Sequence, residues 1–308
     1  MQITPRIKAY LMLLAVSVIW GVASPVIKYT LTGFAPATFL AYRFGISTII
    51  AIIIAALTGI HIPKNGKVFL LFLLYGFLNS VVALGLLFFG MENTTVLETG
   101  LITLAGPLII STAGVYFLHE HVTKREKLGM GIAMFGTLLT ILQPLISNGH
   151  SALKLSGNIL VLGYVLATVV TAVLSKELLK KDVNPMSLTN ASFIIGFLFF
   201  LPVVLRNPNF NLNTEVFNVP LSYHFGVWYM AILSGTLAFY LSNRAQKTIE
   251  IGEQSLFAYL YPVFSLPLAV IWLGEKVTTT HIVGGAIIII GVVIAEIKKK
   301  RYNTTSRN

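Results

Sequence analysis

The stretch "LHEHVTKREKLGMGIAMFGTLL", residues 118–139, is written again at residues 273–294 as "LGEKVTTTHIVGGAIIIIGVVI". An offset of 155 pairs Leu118 with Leu273, Glu120 with Glu275, Val122 with Val277 and Thr123 with Thr278. It also pairs Gly129 with Gly284, Ile132 with Ile287 and Gly136 with Gly291. Without a gap the match runs upstream through Val115 and Val270, Pro107 and Pro262, and Leu101 and Leu256, to Glu98 and Glu253. From 98 to 139 that is 11 identities in 42 positions. The aligned proline, glutamates and glycines are harder to attribute to composition than aligned leucines.

Taken alone, the first copy suggests a metal site, because His119, Glu120 and His121 are all ligand types. The second copy argues against it. Gly274 stands opposite His119 and Lys276 opposite His121, so the Leu-x-Glu-x-Val-Thr frame is repeated and the histidines are not. The frame has a structural explanation. Thr123 can cap the next helix, with Glu126 completing a capping box. Glu120 in the tight turn can accept bonds from exposed backbone N–H groups. With no third ligand nearby, no metal is expected.

Composition sets the solvent. Only 11% of the 308 residues are charged, against about 25% in soluble domains. The chain is 56% hydrophobic, with a mean hydropathy of +0.82. Lipid is therefore the expected surroundings. There is no cysteine, which removes disulfides, thiolate metal sites and cysteine nucleophiles. The net charge of +11 reads as basic residues held at one membrane face, not as a nucleic-acid surface. The run Ala9–Val22 after Arg6 and Lys8 resembles a signal peptide, but more spans follow it, so it is read as a retained first span.

A spanning helix needs roughly 20 mainly apolar residues. Such segments are expected at 8–30, 35–58, 68–90, 94–118, 126–143, 155–178, 185–205, 222–244, 253–273 and 279–297. Backbone groups in lipid must be satisfied within the element, so the spans are helices. With ten spans, 17 of the 22 Lys and Arg fall on one side and 4 on the other, and Arg43 lies inside a span. The basic side is cytoplasmic by the positive-inside rule, which puts both termini there. The tail "KKKRYNTTSRN", residues 298–308, should touch anionic headgroups.

The expected fold is an all-α membrane protein, two five-helix repeats over 1–148 and 149–308. Five is odd, so the halves are inverted, and Glu120 and Glu275 end up on opposite faces. Inverted repeats are common in secondary transporters, which bind substrate near the midplane between the repeats.

The doubled Pro…Leu-x-Glu-x-Val-Thr…Gly…Gly module resembles the EamA family of the drug/metabolite transporter superfamily. So do Trp20–Gly21 and Pro36…Arg43–Phe44. The resemblance covers nearly the whole chain. His119 departs from it, where the second copy has the family's usual small residue, Gly274. The resemblance implies a permease, an exporter of amino acids or related metabolites, and a central cavity between the repeats. It is specific for fold and general activity and uninformative about the individual substrate. A uniporter or a flippase of lipid-linked solutes with the same fold is the alternative.

Ionisable residues within spans are costly and are read as functional first. Arg43 is the one deeply placed cation; it either holds an anionic substrate group or clamps helix-end carbonyls. We weigh the clamp above the ligand, because the resemblance places this Arg in relatives with different substrates. Glu98 is read either as a site for an ammonium group or coupling proton, or as a carboxylate favoured by a helix N-terminus. Its partner Glu253 stands at a helix start too, which supports the second reading. The repeat pairs Asn79 with Ser234 and Thr103 with Ala258 near mid-depth. Pro107 and Pro262 each remove a helix N–H bond beside these positions. A cavity is therefore expected between the third, fourth, eighth and ninth helices, lined by Asn79, Thr103, Tyr240 and Tyr259, with Trp20 and Ser24 from the first. Gly129, Ala133 and Thr137, and Ala231 with Gly235, read as close helix packing, within one chain or between two in a homodimer.

An intramembrane enzyme would need a nucleophile–base pair, H-E-x-x-H or paired aspartates in the spans, and none is present. Walker A is absent as well. No cofactor is expected; the expected partners are a small solute and the bilayer.

Overall fold

The computed structural model describes residues 4–59, 61–118, 124–143 and 152–296. Every regular element among them is helical. In chain order these are α1 (Pro5–Thr30), α2 (Pro36–Thr58), α3 (Gly66–Asn93), α4 (Val96–Thr103 and Gly106–Leu118) and α5 (Lys124–Ile141). The second half holds α6 (Ala152–Lys180), α7 (Pro185–Leu205), α8 (Leu221–Gln246), α9 (Ile251–Ile271) and α10 (Thr279–Glu296). Eight of them are long and apolar enough to cross a membrane. The apolar stretches Gly131–Ile141 and Thr279–Ile294, in α5 and α10, are shorter. Glu120, Thr123, His119, His121 and the basic tail lie outside the described residues, as does the side chain of Glu126.

The starts follow from local chemistry. Pro5, Pro36 and Pro185 occupy the first turns of α1, α2 and α7, where a missing N–H costs nothing. Thr4 and Asn184 cap α1 and α7 through side-chain oxygens. Large aliphatic side chains such as Ile49, Ile52 and Leu57 on α2 and Leu70 on α3 are exposed. In water such faces would drive aggregation; in lipid they are the solvent-facing surface.

Packing exchanges the halves. Helix α2 packs on α7, and α5 on α10. Helix α1 packs on α8 and α9, just as α6 packs on α3 and α4. The α5–α10 contact is built on glycine. A Cβ at Gly136 would stand 2.8 Å from the Gly284 carbonyl oxygen, and one at Gly291 would stand 2.5 Å from Ala133 N. Close backbone approach takes the place of a hydrophobic driving force that lipid does not supply. The small residues of α5 and α10 are thus used within one chain.

Four helices depart from α-geometry at places the repeat pairs. Helix α3 is π-helical at Leu78–Ala83 and α8 at Tyr229–Leu237. Helix α4 breaks between Thr103 and Gly106, and α9 passes through a 3₁₀ stretch at Leu256–Leu260. Pro107 and Pro262 lie just beyond those two breaks. Neither can donate to the turn before it, and that turn tightens: Leu104 N–H bonds Leu101 O and Ala105 N–H bonds Ile102 O, each 3.3 Å.

Candidate functional site

The distorted segments surround a cavity of about 240 Å³. Trp20 and Ser24 reach it from α1, Asn79 from the π-helical turn of α3, and Thr103 from the break in α4. Pro107 and Pro262 line it too, as does Arg43 from α2. Tyr240 and Tyr259 are not brought to it. Tyr240 sits beneath the Arg244 guanidinium and accepts its N–H at 2.7 Å. Tyr259 packs beside Leu101, Leu108 and Ile288.

The lining surface is mostly apolar and almost uncharged. Hydroxyl, phenol and amide groups are set into it, and Arg43 is the one charged residue among the described lining residues. The π-helical turn of α8 supplies part of the framework. Ser47 donates to Ala231 O at 3.1 Å and Trp20 Nε1 to Ser234 O at 3.0 Å. A π-helical turn shifts carbonyls out of register with their usual donors, leaving them to side chains.

Arg43 is fully buried. Its guanidinium carbon is 5.3 Å from the ring centres of Phe44 and Phe88 and 6.0 Å from that of Phe193. None of its three side-chain nitrogens has a hydrogen-bond partner among the described residues. The carbonyl clamp expected of it is therefore not formed among the described residues: its neighbours are aromatic faces, which attract the charge but accept no fork of N–H bonds.

Sequence reasoning missed the contribution of α6. Tyr164, Thr168, Thr171 and Ser175 line the cavity at helical spacing. The signal was available. A polar stripe at i, i+4, i+7 and i+11 in an apolar span marks one face, and α6 opens the second half as α1 opens the first. Tyr261, Gln246 and Gln254 were missed as well.

Glu98 and Glu275 lie outside the cavity, at one end of the bundle. The Glu275 carboxylate accepts the N–H groups of Val96 (2.7 Å) and Leu97 (2.9 Å), the first two residues of α4. Thr95 Oγ1 accepts the Glu98 N–H at 3.1 Å. Three donors that a helix start leaves unsatisfied are thus taken up. Gly274, at φ +66°, allows the turn that presents Glu275. The Glu98 side chain is wholly buried; Thr94 Oγ1 donates to its Oε2 at 2.5 Å. Lys154 Nζ lies 3.9 Å and His281 Nε2 3.7 Å from its Oε1. His281 Nδ1 accepts the Thr278 N–H at 3.3 Å, so a neutral ring carries its proton on Nε2, toward Glu98. At the other end of the bundle the repeat partner Glu253 is partly exposed and held by Arg6 and Tyr10.

The sequence pattern of the EamA-like transporter family matches residues 7–142 and again residues 155–296. The chain is similar to "Uncharacterized transporter YyaM" of Bacillus subtilis, 26% identical over 306 residues, or 98% of this chain and 99% of that one. It is 25% identical over 289 residues to a Salmonella typhimurium protein named "Probable amino-acid metabolite efflux pump", covering 91% of this chain and 92% of the other. A solved structure shares the fold with a TM-score of 0.66 at 17% identity, over 94% of this chain and 96% of that one.

Proposed function

Since this chain belongs to the EamA-like transporter family, we propose that it moves small organic solutes by alternating access of two inverted five-helix repeats. It is a multi-pass membrane transporter and not an enzyme. In the proposed topology ten helices cross the cell membrane with both termini in the cytoplasm, and the substrate enters the central cavity. The direction is export, and the cargo is an amino acid or a related metabolite, as the name of the Salmonella relative suggests for that protein.

The observation that carries this reading is the paired distortion around one cavity that carries hydroxyl and amide side chains: α3 with α8, and α4 with α9. Broken helices at membrane depth are tolerated where they line such a space, and transporters place substrates there. The exchange of packing partners between halves supports the repeat. The unlike ends support alternation: Glu98 is buried in a closed network, while Glu253 is partly exposed. Uncoupled facilitation is the second reading, favoured by a lining without a carboxylate among the described residues.

Reconstituted protein, assayed for uptake and counterflow with labelled amino acids, nucleosides and amines, tests both. Substrate-dependent flux is expected, responding to a pH gradient if transport is coupled. No flux across a broad panel would overturn transport of such solutes, and flux indifferent to any gradient would favour the facilitator.

A further inference from the structure

We propose that Arg43 anchors a carboxylate of the transported solute, so that the cargo is a small organic acid whose carboxylate is required and whose amino group is dispensable. The inference rests on the transport reading above and names its class of substrate.

A guanidinium offers five N–H donors in a planar fork and keeps its charge. Inside a membrane protein such a group is costly unless it is paired or meets a ligand. The Arg43 side chain is 1% exposed, and none of its nitrogens finds a hydrogen-bond acceptor among the described residues. Phe44, Phe88 and Phe193 surround it, so the walls fix its position without using its fork. Two further lining groups are buried and unpartnered, Asn79 Nδ2 and Thr99 Oγ1. The amide nitrogen is a donor and the hydroxyl can be one, so the cavity wall holds buried donors that lack an acceptor among the described residues. A carboxylate is the small organic group whose two oxygens match a guanidinium fork.

The same lining argues against a required ammonium. No Asp or Glu is among the described lining residues, so an ammonium would meet only aromatic faces, hydroxyls and carbonyls. Trp20, Tyr164, Phe239 and Tyr261 instead offer apolar walls for the rest of the solute. A zwitterionic amino acid and its deaminated acid should both be accepted, and the decarboxylated amine rejected.

The test uses the full chain, purified and reconstituted, with two matched sets. One is leucine, 4-methylpentanoate and 3-methylbutylamine; the other is phenylalanine, 3-phenylpropionate and 2-phenylethylamine. Counterflow and ligand-induced thermal stabilisation are both read. The acids, with or without the amino group, should bind and move, and the amines should not. Arg43→Gln should weaken the acids roughly 30-fold or more, the loss expected when one partner of a buried hydrogen-bonded charge pair is removed. Arg43→Lys should recover part of it. Asn79→Asp, isosteric and with Arg43 intact, should also weaken acids, through repulsion of a second carboxylate. Flux of the amines, with or without the acids, overturns the proposal and leaves the transporter standing; so does acid affinity unchanged in Arg43→Gln or, where that variant does not fold, in Asn79→Asp. No binding or flux of any member overturns the proposal, and the broad panel above then decides the transporter reading separately.

Discussion

Glu275 shows how a single carboxylate can tie two spans together. It accepts two backbone N–H groups from the start of α4 while standing in the turn between α9 and α10. Glu275→Ala leaves both donors without their charged acceptor and should cost about 1–3 kcal/mol, read as a lower unfolding temperature in detergent. An unchanged unfolding temperature would show that water replaces the cap without loss. Glu98 is held by Thr94, with His281 and Lys154 close by. Glu98→Gln keeps the shape and removes the charge. Because Glu98 lies in this network and outside the cavity, the substitution should reduce thermal stability and leave the gradient dependence of flux unchanged; loss of that dependence would instead make it a coupling site. The glutamates were legible in the sequence because the repeat marks them. Their partners were not, since Val96 and Lys154 are far from residue 275 and residue 98 respectively, and only folding brings them close.

Among the elements, α5 and α10 depend on small residues. Leucine at Gly291 would start from a Cβ 2.5 Å from Ala133 N and 2.6 Å from Gly129 O, and both of these atoms are backbone. Gly291→Leu should therefore force the helices apart and cost about 1–3 kcal/mol, measurable by thermal unfolding. Unchanged stability would mean the two helices do not pack this closely. The helices α4 and α9 owe their breaks to Pro107 and Pro262. Pro262→Ala restores a donor and should straighten α9, raising the unfolding temperature while lowering flux, since the break lines the cavity. Unchanged flux would separate the break from transport. Helix positions were readable from apolar length and punctuation, and the expected segments agree with the described helices to within a few residues. The π-helical turns were not readable. No local propensity gives a sign of them.

For the whole molecule, the 17-to-4 distribution of Lys and Arg predicts a cytoplasmic signal from a reporter fused after Asn308. A signal from the opposite side would overturn the ten-span topology. The sequence by itself determined that this is a lipid-embedded helical protein with a duplicated module, because apolar length and a repeated frame are properties of the chain order. It also pointed to Asn79, Thr103, Trp20 and Ser24, which the structure brings to one cavity. Only the tertiary structure decided that Tyr240 and Tyr259 stand apart from it, that α6 lines it, and that Arg43 has aromatic neighbours and no hydrogen-bond acceptor among the described residues. Which face of an almost uniformly apolar helix turns inward is set by packing against other helices, and a sequence whose faces are equally oily carries little record of that choice.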